Sequence, residues 1–240
     1  MSELQPYIES AKPNHSPNAE RRDRGTNAKI DILFVDHSPD NVGHILHAMT
    51  SSSAEIIAME LVGSLAATRT LVQSKINEAI HTPDPRRRSA IMQGVSQHFR
   101  DIAWALAGSE KNLVFIDLPS DDPRYTAIDA AKKLRLAAQN TTATQDDHDS
   151  YVQAFAHSIA VRDAALTQQL IDIHALNPDK DILAVMGAAH EAVGDLLTHS
   201  TKGEATGTMT YLPRFGEEIV FPSHVAKAMQ LARRQSNDRQ

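Results

Sequence analysis

Four short apolar runs alternate along the chain with longer segments in which apolar residues recur at helical spacing. The runs cover residues 30–35, 55–59, 112–116 and 181–186, and they are apolar at nearly every position. Strands that are buried on both faces have this continuous pattern. Strands that alternate with helices form a mainly parallel sheet. The sequence therefore predicts an α/β fold, with a mainly parallel central sheet flanked by helices on both faces.

The two ends of the chain differ from this repeating pattern. Segments 207–212 and 217–221 have strand composition and flank Pro213 and Gly216, which is typical of a hairpin and predicts an antiparallel pair at the sheet edge. Residues 1–28 contain three prolines and a charged run but no apolar periodicity. We therefore expect a flexible leader over 1–28 and a single α/β domain over 29–240.

Two predicted helices and one polar stretch between the strands bear on later findings. Apolar residues from Ile91 to Leu106 recur at helical spacing and predict one helix. A second helix is predicted from about residue 150 to 176, where Asn177 and Pro178 end it. The polar stretch 139–149 before that helix is predicted to be a loop or lid.

An ionisable side chain follows each of the four predicted parallel strands at once. Parallel strands end at the same edge of a sheet, where binding sites form, so we expect these residues to meet in one crevice. Each residue alone also has a structural interpretation, such as capping of a helix by a carboxylate or hydrogen bonding of a buried histidine. The residues are His37 with its neighbour Asp36, then Glu60, Asp117, and His190 with its neighbour Glu191.

Two further positions favour the same edge of the sheet. Arg162 stands in the apolar stripe of the predicted 150–176 helix, so it is expected to point inward. An unpaired inward charge would be costly, so Arg162 needs either a bound anion or a carboxylate, which Glu60 or Asp117 could supply. Gly187 precedes two alanines after the fourth strand, which would allow a ligand to approach closely. The N–H groups of the helix that follows would favour an anion or an oxyanion.

Composition narrows the chemistry. The 240 residues carry a formal charge of −6, which argues against a nucleic-acid partner, because phosphate binding needs a concentrated basic surface. Cysteine is absent, so any metal must be held by His, Asp, Glu or water.

The chain has no apolar run of roughly 20 residues and no signal pattern at its start. We therefore expect a cytoplasmic protein without a membrane partner, and the oligomeric state is left open.

The strand-end residues resemble a superfamily that groups TraB/PrgY proteins, Tiki metalloproteases, erythromycin esterases and ChaN-like haem-binding proteins. Over about residues 30 to 200, the chain is similar to the family pattern of two Gly-x-x-His motifs, a strand ending in Glu, and a helical Arg-Asp pair. Phe34 stands where the first motif has glycine, and Gly194 lies one residue further from His190 than the pattern expects. The matching segments are 32–37, 56–60, Arg162–Asp163 and 183–190.

This resemblance implies a crevice built from two histidines, a glutamate and an arginine. Some branches of the superfamily bind a divalent metal and cleave peptide bonds, others hydrolyse esters, and ChaN-like members bind haem. The leading prediction is therefore a metal-assisted hydrolase that acts on a peptide or ester bond of a peptide or small-molecule substrate. His37, His190 and Glu60 would hold Mn, Co or Zn with an open position for water.

The remaining residues are predicted to assist this reaction. Asp36 or Glu191 would act as general base, while Arg162 would orient Glu60 or hold a substrate anion, and Gly187 would lie against the bound group. A metal-free variant in which a His–Glu pair activates water is an alternative. A non-catalytic module that binds a small anion or haem is another. A metal-dependent phosphoesterase, suggested by Asp36–His37 and Asp117, is the third.

Overall fold

The computed structural model describes residues 28–36, 41–212 and 221–237. Within these ranges the chain forms five strands, eight α-helices and two short 3₁₀ turns, at Pro123–Tyr125 and Ala188–His190. The strands are β1 (Ile30–Val35), β2 (Ile56–Glu60), β3 (Asn112–Ile116), β4 (Ile182–Gly187) and β5 (Thr206–Leu212). The helices are α1 (Val42–Ser51), α2 (Ala66–Ile80), α3 (Pro85–Ile91), α4 (Gln97–Ala105), α5 (Thr126–Ala138), α6 (Gln145–Leu176), α7 (Ala192–Ser200) and α8 (Ser223–Asn237).

The five strands form one parallel sheet in the order β3-β2-β4-β1-β5. Alternate residues of one strand pack on opposite faces, as the pleat of a strand requires. In β1, Leu33 and Val35 pack with the apolar residues of α1, α2 and α4. Ile32 and Phe34 pack with those of α6 and α7 on the other face. The predicted α/β fold with helices on both faces is confirmed.

Strand β5 lies at the sheet edge but runs parallel to β1. The predicted antiparallel hairpin is therefore not confirmed, and most of its second strand falls in 213–220, outside the described residues. A register shift between Ile30 and Ile32 interrupts the β1–β5 pairing. Helix α8 is the last helix of the described chain, and it packs against the first half of α6.

Two helix predictions were wrong in their boundaries. Helix α6 begins at Gln145, because Thr144 and Asp147 form a capping box that satisfies its first N–H groups. Only the first part of the predicted 139–149 lid is therefore non-helical. The predicted 91–106 helix is two helices, α3 and α4, separated by a turn in which Gly94 has a φ of +79°.

Two parts of the sequence predictions fall outside the described ranges. These are the predicted leader, of which only residue 28 is described, and His37. None of the helices in the described part of the chain combines the length and apolar character needed to cross a bilayer.

Candidate functional site

Three neighbouring strands bring ionisable residues to one edge of the sheet. Glu60 is the last residue of β2, Asp117 follows β3, and His190 ends the 3₁₀ turn after β4. Strand β2 lies between β3 and β4 in the sheet, so Glu60 is the central member of this set. The convergence of Glu60, Asp117 and His190 that the sequence predicts is present in the fold.

Arg162 reaches this edge from α6 and joins two of the carboxylates. Its Nη2 atom is 2.5 Å from Oδ2 of Asp117, and its Nε atom is 3.0 Å from the same oxygen. Nη2 also donates to Oε1 of Glu60. The expectation that Arg162 points inward and pairs with these carboxylates is confirmed. Burial would lower the pKa of Arg162, but the two acids outweigh it and raise that pKa above its usual value.

His190 lies between two carboxylates. Its Nδ1 atom is 2.5 Å from Oδ1 of Asp163, and its Nε2 atom is 3.6 Å from Oε1 of Glu60. The ring is 2% exposed. Burial would lower its pKa, but the charges of Glu60 and Asp163 raise the pKa of His190 from 6.5 to about 9. His190 is therefore an imidazolium at neutral pH, and two acids flank it.

Asp163 is the buried partner that orients this imidazolium. Burial raises the pKa of its carboxyl, and His190 offsets part of that rise. Its second oxygen, Oδ2, has no hydrogen-bond partner in the described structure. The sequence analysis named Asp163 only as the neighbour of Arg162 in the family resemblance. Successive residues of a helix point about 100° apart. The neighbours Arg162 and Asp163 on α6 can therefore bind Asp117 and His190, respectively.

The backbone of Asp117 is held in an unusual conformation. Its φ is +100°, a region that residues other than glycine seldom occupy. Arg69 donates to its carbonyl oxygen at 2.5 Å, and the side chain of Gln169 binds both its N–H and its carbonyl. Such strain persists only where the surroundings enforce it. Arg69 and Gln169 were not predicted from the sequence, although Gln169 lies seven residues after Arg162 on the same face of α6.

Gly187 contributes its backbone to the site. Its N–H donates to Oε2 of Glu60 at 2.6 Å, so this carboxylate is held by β4 on one oxygen and by Arg162 on the other. Gly187 was predicted to allow the close approach of a ligand, and in the structure the group beside its N–H is Glu60. The glutamate is therefore fixed in position by main-chain and side-chain donors together.

The two predicted general bases lie in different surroundings. Glu191 binds Nη2 of Arg233 at 2.8 Å and the hydroxyl of Tyr211 at 3.2 Å. Asp36 follows Val35, which pairs with Gly187, so Asp36 lies at the same edge of the sheet. The carbonyl oxygen of Asp36 accepts a hydrogen bond from Asn41. Glu191 is therefore committed to a separate ion pair with α8.

Phe34 stands in β1 at the position where the resembled motif has glycine. The ring is fully buried in the core on the α6 side and stacks on Tyr211, with 4.9 Å between ring centroids. Phe34 and its register partner Tyr211 therefore pack side by side on the same face of the sheet.

Within the described residues the predicted metal ligands are brought together only in part. Of its three predicted ligands, Glu60 and His190 face each other, and His37 lies outside the described residues. Both oxygens of Glu60 accept protein hydrogen bonds, and Nδ1 of His190 is occupied by Asp163. In 28–36, 41–212 and 221–237, no three His, Asp or Glu side chains are grouped to hold a metal ion. The described residues alone do not fit a metal, so the metal site stays a prediction.

The arrangement combines three chemical capacities at one edge. Glu60 is a carboxylate that can accept a proton, His190 is an imidazolium that can donate one, and Arg162 is a fixed hydrogen-bond donor. Two residues support them from behind, since Asp163 orients His190 and Asp117 orients Arg162. No protein-family model, curated protein or solved structure matches this chain.

Proposed function

We propose that this protein is a hydrolase that cleaves an ester or peptide bond by acid–base chemistry at Glu60 and His190. The observation that carries the proposal is the line of three groups Asp163, His190 and Glu60, with separations of 2.5 Å and 3.6 Å. A carboxylate behind a histidine fixes its tautomer and its orientation. Titratable groups whose environments shift their pKa values are typical of catalytic sites.

The proposed reaction uses the two groups in opposite roles. The carboxylate of Glu60 takes a proton from a water molecule, and the hydroxide attacks the carbonyl carbon of the substrate. Arg162 donates a hydrogen bond to the carbonyl oxygen as it gains negative charge. The bond to the leaving group then breaks, and His190 gives its Nε2 proton to the departing oxygen or nitrogen. The products are a carboxylic acid and an alcohol or amine.

The site returns to its starting state by one proton transfer. After the reaction Glu60 is protonated and His190 is neutral, and their facing atoms are 3.6 Å apart. Transfer of the proton from Glu60 to Nε2 restores both groups, and Asp163 stabilises the imidazolium that forms. Because the pKa of His190 is about 9, this resting state predominates at neutral pH.

A panel of esters and peptides tests the proposal with the purified full-length protein. Glu60→Gln and His190→Gln are expected to lower kcat by about 10²- to 10⁴-fold, the usual contribution of a general acid or base. Glu110→Gln and His199→Gln, which change exposed residues, are the matched controls and should keep full activity. Near-ultraviolet circular dichroism on each variant separates loss of chemistry from loss of folding.

Chelation separates the proposed chemistry from the metal-assisted alternative. The assay is run with and without a chelator and after addition of Mn, Co or Zn. Turnover that survives chelation supports acid–base hydrolysis, whereas turnover that needs added metal supports the site with His37, His190 and Glu60. No turnover on any substrate, with wild type and variants alike, would remove the hydrolase. A haem titration followed at the Soret band would then test the binding alternative.

A further inference from the structure

One nitrogen of Arg162 is open for a substrate. The hydrogen bonds of this side chain to Glu60 and Asp117 use Nε and Nη2. Within the described residues no hydrogen bond involves Nη1, and the side chain is 14% exposed. The two acids fix the plane of the guanidinium, so Nη1 has a defined direction. It is a preorganised N–H donor rather than a freely moving cation.

The charges around Arg162 are already balanced. Three acids, Glu60, Asp117 and Asp163, are paired with two bases, Arg162 and His190. A third base, Arg69, donates to the main-chain carbonyl of Asp117, so three positive charges lie close to three negative ones. An anion that binds Nη1 would also approach the carboxylates of Glu60 and Asp117. Repulsion from these two acids offsets the attraction of the guanidinium, because the site is largely screened from water. A neutral carbonyl oxygen needs only the N–H donor and avoids this cost.

The loop after β3 also disfavours a negatively charged substrate. It carries Asp121, which accepts the N–H of Ala66, and Asp122, which forms an ion pair with Arg124. The two acids and one base leave this loop with one excess negative charge. A substrate with a carboxylate would therefore meet a weakly repulsive edge of the sheet.

The loop after β2 offers an apolar surface close to Glu60. Val62 and Leu65 are 42% and 55% exposed, and the Cα atom of Val62 lies within about 7.6 Å of that of Glu60, because only two peptide units separate them. Gly63 has a φ of +87° between them, which only glycine adopts without strain. The loop that follows the catalytic glutamate therefore carries two large, exposed apolar side chains.

Hydrogen bonds to the end of β3 and to the loop after it fix the β2 loop in place. The N–H of Leu61 donates to the carbonyl of Ile116, and the N–H of Ser120 donates to the carbonyl of Ser64, each at 3.0 Å. Exposed apolar residues on a fixed loop can bind a ligand without a large ordering cost.

We infer that the substrate of the proposed hydrolase has an uncharged acyl group, whose carbonyl oxygen binds Nη1 of Arg162 and whose short apolar chain contacts Val62 and Leu65. This inference rests on the proposed function. It names a substrate class, neutral aliphatic esters or amides, and it assigns Val62 and Leu65 as specificity residues. It also excludes a role for Arg162 as receptor for a substrate carboxylate.

Three acyl groups of matched length test the inference. The methyl esters of butyrate, monosuccinate and 4-aminobutyrate differ in carrying no charge, a carboxylate and an ammonium group. The same acyl groups as p-nitroanilides cover amide cleavage, and methyl acetate gives the short-chain reference. We expect the highest kcat/KM for the butyryl substrate. The kcat/KM for the butyryl substrate should exceed that for the acetyl substrate by about fourfold for each added methylene that is buried.

Variants of the loop identify where that advantage arises. Val62→Ser and Leu65→Ser should remove most of the preference for butyryl over acetyl, seen as a fall in the ratio of the two kcat/KM values. Leu136→Ser, which changes an exposed leucine of α5, is the control and should retain the preference.

The outcomes separate the inference from the function on which it rests. A higher kcat/KM for the succinyl or aminobutyryl substrate would overturn the uncharged substrate class and leave the hydrolase intact. A butyryl preference that persists in both serine variants would overturn the role of the loop. Absence of turnover on every substrate would remove the hydrolase, and the inference with it.

Discussion

The side-chain amide of Gln169 binds both backbone polar groups of Asp117. The N–H of Asp117 donates to Oε1 at 2.7 Å, and Nε2 donates to the carbonyl oxygen of Asp117 at 3.2 Å. The amide thereby makes the two main-chain hydrogen bonds that a neighbouring strand would make at the end of β3. It also supports the positive φ of Asp117. Helix α6 thus fixes the main chain of Asp117 through Gln169 and its carboxylate through Arg162.

Gln169→Ala tests whether this support is needed. The substitution leaves the N–H of Asp117 without its partner, and an unsatisfied buried donor costs about 1–3 kcal/mol. We expect a fall of that size in the free energy of unfolding, measured by urea denaturation. Activity should fall too, because Asp117 no longer fixes Arg162. Gln168→Ala, one residue earlier on the exposed face, is the control, and equal losses in both variants would contradict the specific role.

Arg162→Leu tests the ion cluster itself. Removal of the guanidinium leaves Glu60 and Asp117 buried without their shared cation, and breaking a buried pair in this way costs about 3–5 kcal/mol. Chemical denaturation measures the loss of unfolding free energy. Arg124→Leu breaks an exposed pair with Asp122, which contributes less than about 1 kcal/mol. Similar losses in the two variants would show that the buried cluster is not an important source of stability.

The positions of Glu60, Asp117 and His190 were predictable because their strands are unambiguous. A continuous apolar run marks a strand buried on both faces, and residues at the carboxyl end of the strand or in the turn after it lie at the edge of the sheet. The inward direction of Arg162 was predictable because the apolar residues around it define the buried face of α6. These inferences need only periodicity and the direction of parallel strands.

The residues that support the site left no comparable signal. Gln169 and Arg69 bind main-chain groups, and any polar side chain can do so without a pattern in the sequence. The break between α3 and α4 was missed because Met92 and Val95 in the turn are buried in the core, so apolar spacing continues through it. The start of α6 was missed because its first turns are polar and exposed, and its capping box has Asp147 in place of the usual Glu.

The stability of the protein should depend on pH through His190. Its pKa is about 9 in the folded chain, against about 6.5 in an unfolded chain. A group whose folded pKa is raised contributes its full stability below the unfolded pKa and loses it as pH rises through the folded pKa. The unfolding free energy should therefore fall by about 3 kcal/mol as pH rises from about 6.5 to above 9.

His190→Gln is the matched variant for this pH dependence. Glutamine retains a polar side chain near Asp163 but does not titrate, so the variant should have a flatter profile over the same interval. Urea denaturation of both proteins at several pH values from 6 to 10 gives the comparison. A wild-type profile as flat as that of the variant would show that the imidazolium does not stabilise the folded chain.

Gly207 of β5 and Gly194 of α7 should respond differently to alanine, because the atoms next to each glycine differ in their freedom to move. A Cβ atom at Gly207 would lie 3.1 Å from the carbonyl oxygen of Ile30 and would clash with the carboxylate of Asp31, which accepts the N–H of Thr208 at 2.6 Å. The backbone of β1 cannot yield, so Gly207→Ala should cost about 1–3 kcal/mol of unfolding free energy.

At Gly194 the added Cβ meets only the end of the exposed Met209 side chain, which can rotate away. Alanine also favours a helix over glycine by about 1 kcal/mol, so Gly194→Ala should leave stability unchanged or slightly raised. Thermal and urea unfolding of the two variants measure the difference, and a larger loss for Gly194→Ala would refute this account of β5 packing.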